Sequence, residues 1–463
     1  MVLACCALQG SAVAAGADDA EAAKGPETRP NILLIITDQQ YAGVMSCAGD
    51  RYVKTPAMDS LAAAGARFEM AYAANPVCVP SRVSMMTGRM PSEFGMRSNA
   101  EARNAFPPEA LPATMGRVMR AAGYETFYGG KTHMCPELHP PTAGYGQFEK
   151  NSREVLPDAA SNFIRQKRKK PFFAVASFIN PHDICYVHRA KLGIKKNLPG
   201  CNELYQQAVE LPDRELPPLP ENYAIPPAEP EAIEASMSRR SVTPAITMRE
   251  EYTERDWRIY RWLYCRYTEQ VDRHIGRFLA TLRETGQEDE TLILFTSDHG
   301  NMDAAHRLAS KNLFYEESAG VPFIMQYAGT IPAGQINGDT LVNAGLDILP
   351  TLCDYAGATP HERALGTSLR AVAEGGKATA SRPYVVAENS SGRMVRSARY
   401  KYCIYATGDV RESLVDLESD PGEMTNLARQ REHQATLRQH RRYLAEWIRE
   451  SNDQPAEAFA IDW

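Results

Sequence analysis

The sequence predicts an α/β fold: a large, mostly parallel sheet flanked by helices, followed by a smaller C-terminal α+β subdomain carrying an antiparallel sheet. Three observations carry that prediction. Apolar runs without alternation, such as Asn31-Ile32-Leu33-Leu34-Ile35-Ile36-Thr37, suit strands buried on both faces, as in parallel sheets covered by helices. Segments with helical spacing alternate with these runs, and a glycine follows each. Beyond about residue 360, short strand-like segments replace the strand–helix rhythm.

Along the chain, strands are expected at 31–37, 124–128, 172–178, 291–296 and 322–326. Helices are expected at 55–64, 114–122 and 257–285, leading to Gly65, Gly123 and Gly286, where a helix C-cap favours glycine. Residues 211–244, dense in proline and glutamate, read as a surface excursion. The run Lys167-Arg168-Lys169-Lys170 reads as a solvated helix end with no binding role. Strands at 384–387, 394–397 and 401–405 then precede an amphipathic helix at 428–450.

With 44% apolar and 23% charged residues, the 463-residue chain is ordinary for a globular protein. A net charge of −6 argues against a nucleic-acid or anionic-membrane partner, so an anionic ligand has to be drawn by a local cationic pocket. Beyond the N-terminus no segment reaches the roughly 18 apolar residues of a membrane span. Residues 1–24 resemble the back half of a secretory signal, which predicts export to a periplasmic or extracellular space. Val2-Leu3-Ala4-Cys5 leaves a lipoprotein open. None of the ten cysteines has C-x-x-C spacing, and pairs such as Cys185 with Cys201 stay open.

The most informative stretch is Cys78-Val79-Pro80-Ser81-Arg82, followed by Thr87-Gly88-Arg89. Alone, it also fits a buried cysteine opening a helix, since Pro80 lacks an N–H that the first turn does not need. Asp38 and Asp298 each close a predicted strand, and ligand sites in open α/β sheets gather at carboxyl ends of strands. Two carboxylates brought together there suit a hard cation; singly, each would serve equally as a helix cap. Gly130-Lys131-Thr132-His133, Pro181-His182 and Lys311 add cations and imidazoles after predicted strands or in loops.

Together these residues resemble the signature of type I, formylglycine-dependent sulfatases in the alkaline phosphatase superfamily. The likeness covers most of 30–330. It extends more loosely over 380–430, where Leu414-Val415-Asp416-Leu417 and Asp420-Pro421-Gly422-Glu423 resemble the family's C-terminal turn. The resemblance implies that a maturation enzyme oxidises Cys78 to formylglycine, whose hydrate is the nucleophile. It implies calcium, in preference to magnesium, on Asp38, Gln39, Asp298, His299 and the modified residue 78. Gln39 stands where many sulfatases carry aspartate, which lowers the site's negative charge, and His299 brings a nitrogen that calcium accepts less readily than oxygen. Arg82 would hold the formylglycine, Lys131 and Lys311 the sulfate, His133 the formylglycine hydroxyl, and His182 the leaving-group side. Asp183 and His306 join them as expected substrate-pocket residues. The division implied is 1–24 signal or disordered segment, 25–360 catalytic domain, 361–463 C-terminal subdomain.

On this reading the activity is hydrolysis of a carbohydrate sulfate ester. His182, with Lys311, protonates the leaving oxygen, and His133 assists expulsion of sulfate. Two alternatives share the same residues: a phosphonate monoester or phosphodiester hydrolase of the superfamily, and a non-catalytic sulfoglycan-binding protein. Tyr186, His188, Trp257 and Trp262 are candidates for a sugar cleft, with core packing as the alternative.

Overall fold

The computed structural model describes residues 29–194, 200–237, 243–377, 382–451, 453 and 459. The signal-like segment 1–24, with Cys5 and Cys6, lies outside them. The large sheet contains β1 (Asn31–Asp38), β2 (Ala66–Tyr72), β3 (Glu125–Gly130), β4 (Gln147–Glu149), β5 (Phe172–Pro181), β6 (Thr291–Ser297), β7 (Phe323–Gln326) and β8 (Gln335–Asn343). Their spatial order is β4-β3-β5-β1-β6-β7-β2-β8. Only β7 runs antiparallel to its neighbours.

β1 shows why the apolar runs do not alternate. Leu33 and Ile35 pack with Ile275, Phe278 and Leu282 of the helix Glu254–Glu284 on one face. Ile32, Leu34 and Ile36 pack with Ile348, Leu349 and Leu352 of the helix Ala344–Ala356 on the other. Side chains still alternate, but both directions lead into core.

Several elements differ from the sequence expectation. β8 was not expected because its first half is an exposed polar edge, so no apolar run marks it. The helix Ala344–Ala356 has nearly every residue buried, so no amphipathic stripe marks it either. Gly123 and Gly286 have positive φ, but Gly65 does not (φ −150°), so it is no left-handed cap. It is required for close approach: a Cβ there would lie 2.1 Å from the Met325 carbonyl oxygen.

The smaller sheet is antiparallel, in the order β12-β11-β10-β9, from β9 (Tyr384–Glu388), β10 (Gly392–Ser397), β11 (Tyr400–Tyr405) and β12 (Glu412–Asp416). β12 occupies part of the stretch read from sequence as a turn. The C-terminal helix begins at Gln434, later than expected, and ends at Ser451. Its Leu437, Leu444 and Ile448 cover Val386, Val395 and Ile404 of the sheet. Among the described residues no helix is long and apolar enough to cross a membrane.

Candidate active site

Strand register assembles the site. β5, β1 and β6 are adjacent and parallel, with Thr37 opposite Ser297 and Asp38 opposite Pro181. Their carboxyl ends therefore deliver His182, Asp38 and Asp298 side by side. β3 lies beyond β5 with Gly130 opposite Ser177, which places Lys131 next in the row. Cys78 is the first residue of the helix Cys78–Thr87, which follows β2. Arg82 lies one turn further on the same helix face.

Arg82 is the keystone, 1% exposed. Its Nε donates to Asp298 Oδ2 at 2.8 Å and its Nη2 to Asp38 Oδ2 at 3.1 Å. Its Nη1 donates to Ser177 Oγ (2.7 Å) and the Lys131 carbonyl (3.0 Å). Lys131 forms an ion pair with Asp38, and its Nζ is 3.6 Å from Cys78 Sγ. Lys311 Nζ stands 3.1 Å from the same sulfur and donates to Gln39 Oε1 at 2.8 Å. Burial and Asp38 oppose ionisation of Cys78, but Lys131 and Lys311 outweigh them and hold the thiol well below its ordinary range. Asp38 is likewise held low: burial is overcome by Lys131, His182, Lys311 and Arg82.

The donor set fits a divalent cation. One ligand atom each from Asp38, Cys78, Asp298 and His299 lies within 4.8 Å of the others, all buried. His299 Nδ1 is 2.8 Å from the Gly300 carbonyl, which only accepts, so Nδ1 carries the hydrogen and Nε2 presents its lone pair to the cluster. Gln39, expected to join them, has its Oε1 engaged by Lys311 and by the Cys185 thiol (3.3 Å). Its backbone N–H reaches Asp298 Oδ1 at 3.1 Å.

The remaining expected residues divide. His182 is half-buried beside Cys185 (Nε2 to Sγ 4.0 Å), and burial, then Lys311 and Lys131, hold it well below its ordinary pKa. His133 is exposed, and among the described residues no hydrogen bond joins it to Cys78. Asp183 is buried in an ion pair with Arg153 (2.6 Å), beside a cavity of about 260 Å³. His306 has no exposed surface, and its ring stacks on Tyr315 at 4.1 Å. Trp257 is core, packed on Tyr252 and Tyr260, while Trp262 is half-buried. Cys185 and Cys201 are both free thiols.

The sulfatase family profile matches residues 30–358 of this chain. The chain belongs to the sulfatase family. A second profile, for the N-sulphoglucosamine sulphohydrolase C-terminal region, matches residues 304–450. This sulfatase is 32% identical to a Δ4,5-hexuronate-2-O-sulfatase of Bacteroides thetaiotaomicron, over 93% of this chain and 91% of that one. It is 29% identical to a choline-sulfatase of Rhizobium meliloti, over 86% and 82%. The solved structure of a 2-O GAG sulfatase superposes with a TM-score of 0.80 at 30% identity, covering 93% of this chain and 94% of the other.

Sequence reasoning missed the residues that brace the sulfatase site. Ser177 links Arg82 to the Lys131 carbonyl, and Asn301 accepts from Gln39 Nε2 (3.0 Å) and the Tyr260 hydroxyl (2.9 Å). Ser177, near the end of an expected strand, was the one with a positional signal.

Proposed function

We propose that this sulfatase hydrolyses a carbohydrate sulfate ester, with a 2-O-sulfated hexuronate as its leading substrate, through a formylglycine made from Cys78. The observation that carries the reading is the convergence of two ammonium groups on Cys78 beside the Asp38, Asp298 and His299 donors. The 2-O assignment is supported by the likeness to the hexuronate-2-O-sulfatase and to the solved 2-O GAG sulfatase structure.

Calcium held by Asp38, Asp298 and His299, and by Gln39 once its Oε1 is released by Lys311 and Cys185, would acidify the nucleophilic hydroxyl and offset charge on the sulfate. Asp38, Cys78, Asp298 and His299 are sealed from solvent, whereas Lys131, His182 and Lys311 are only half-buried, so the ester enters from the lysine side. There Lys131 and Lys311 bind sulfate oxygens, positioning and charge being the main requirement of such transfers. Before maturation, burial of Lys311 is outweighed chiefly by Cys78, which raises its pKa. Proton donation to the leaving oxygen is assigned to His182, which lies beside the two lysines at the half-open face. An anionic ester between the two lysines offsets the charges that depress its pKa. A hydroxyl of the hydrate at residue 78 bonds to sulfur as the S–O ester bond breaks and the alcohol takes the proton; sulfate then departs with that oxygen, and one water rehydrates the aldehyde. The signal-like residues 1–24 support export as part of the same proposal.

The test is co-expression with a formylglycine-generating enzyme, mass analysis of the tryptic peptide Phe68–Arg82, and turnover on a defined panel. The panel holds unsaturated hexuronate 2-O-sulfate, other sulfated sugars, choline sulfate, an aryl sulfate and a matched aryl phosphonate. Modified peptide with preference for the uronate ester is expected. Modified peptide with no sulfate release, or faster phosphonate cleavage, refutes the assignment.

A further inference from the structure

The loop between β6 and β7 carries Lys311 on an unusual backbone. Asp303, Ala304, His306, Arg307, Ser310 and Asn312 all have positive φ, although none is glycine. Such conformations are costly and persist where the surroundings over-determine them. Ser310 (φ 77°) and Asn312 (φ 73°) immediately flank Lys311. Two of the bonds that hold them come from the large sheet's own loops. The Met302 N–H donates to the Ser310 carbonyl (2.8 Å), and the Asn312 N–H donates to the carbonyl of Pro76 (2.9 Å), two residues before Cys78.

The third comes from the smaller sheet. Asn389, in the turn between β9 and β10, donates from Nδ2 to the Asn312 carbonyl at 2.9 Å. Asn389 is 1% exposed. Its Oδ1 accepts from the N–H groups of Ser391 and Gly392, both at 2.8 Å, which fixes the amide so that Nδ2 faces Asn312. The same turn is tied to the chain on both sides of the helix that begins at Cys78. The Glu388 N–H donates to the Ala74 carbonyl (2.9 Å), and Glu388 Oε1 accepts from the Ser92 N–H (2.7 Å). One braced turn thus bridges the segment that presents Cys78 and the segment that presents Lys311.

We infer that Asn389 is a positioning residue for the sulfatase reaction: through Asn312 it sets the Lys311 ammonium against residue 78 and the bound sulfate. The inference rests on Lys311 being a sulfate-binding group. Asn389 touches neither substrate nor nucleophile. Its effect is the direction of a lysine whose Nζ has to lie within hydrogen-bond reach of a sulfate oxygen, where small displacements are expensive in rate.

Asn389→Asp separates the two jobs of the amide, because it keeps the oxygen that accepts from the turn and removes the donor to Asn312. Asn389→Ala removes both. In the matured enzyme, Asn389→Asp is expected to lower kcat by about tenfold or more and to weaken inhibition by inorganic sulfate; because its buried carboxylate faces the Asn312 carbonyl, its melting midpoint also falls, and kcat is read well below that midpoint. The decisive comparison is with Lys311→Ala. A residue acting through Lys311 adds no further loss in the Asn389→Asp, Lys311→Ala double variant. Wild-type kcat in Asn389→Asp, or its full loss appearing again on top of Lys311→Ala, overturns the inference. Normal turnover of Lys311→Ala alone instead removes the reading of Lys311, a separate result read from a separate variant.

Discussion

Arg82→Met replaces a buried guanidinium by an apolar side chain of similar length and leaves Asp38 and Asp298 facing each other. Both carboxylates are completely buried and each takes one charged hydrogen bond from Arg82, at 3.1 and 2.8 Å. Removing one member of a buried ion pair costs about 3–5 kcal/mol because the other is stranded in a poor dielectric. Here two are stranded at once, although Lys131 still serves Asp38, so a loss of about 5 kcal/mol is expected. The assay is urea unfolding of the unmatured, chelator-treated protein, which removes any dependence on Cys78 maturation. Added calcium should narrow the gap, since a bound cation takes over part of the neutralisation and stabilises the folded form by mass action. A loss below about 1 kcal/mol without calcium would falsify the view that Arg82 holds the two acidic strand ends together.

Two further outcomes follow from single contacts. Asp272 accepts the N–H groups of Ala57 (3.1 Å) and Met58 (2.8 Å) at the start of the helix Pro56–Ala64, and burial pushes its carboxyl from the ordinary 3.8 up to about 6. A raised carboxyl pKa favours the protonated folded state, so that contribution is complete below pH 3.8 and is lost as pH rises through about 6. Wild type should therefore lose about 1–2 kcal/mol relative to Asp272→Asn between pH 4 and 7; parallel pH–stability curves would contradict this. Gly130→Ala should destabilise by about 3 kcal/mol or more and cut kcat, read by melting and steady-state kinetics. Gly130 has φ 96°, and a Cβ there would meet the Ser177 carbonyl oxygen at 1.9 Å, in the strand pair that aims Lys131.

What could be read from the sequence was what local pattern encodes. β1, β5 and β6 announce themselves because both faces are buried, and Asp38, His182 and Asp298 follow because ligands collect where such strands end. The residues that were not legible are defined by contacts between distant segments. Ser177 matters because Arg82 reaches it from a helix that follows β2, and Asn389 because a turn of the smaller sheet meets Asn312. No spacing rule links those positions. His306 shows the opposite failure: it lies in the loop that carries Lys311, yet a positive φ (54°) accompanies a ring stacked against Tyr315 in the interior. Gln39 was legible as a site residue, but its partner among the cations was not, because Lys311 arrives on a left-handed stretch with no sequence signal.

The charge inventory ties the acidic chain to an anionic substrate. In the cluster three cations, Arg82, Lys131 and Lys311, face two carboxylates, Asp38 and Asp298, and a thiol held toward its anionic form. With Cys78 as thiolate the cluster is balanced, and both lysines already have an anion to bind. The proposed conversion of Cys78 to an uncharged aldehyde hydrate removes one negative charge without moving any cation. Among the protein's own groups one positive charge is then left in excess, on Lys311, because Lys131 stays paired with Asp38; a sulfate ester entering at the half-open face brings the single negative charge that offsets it. An overall charge of −6 does not oppose this, because screening confines the protein's distant charges to about 10 Å while the two lysines sit at hydrogen-bond range. Maturation, on this account, makes the nucleophile and opens the anion site in the same step, so unmatured protein should bind inorganic sulfate more weakly than matured protein does.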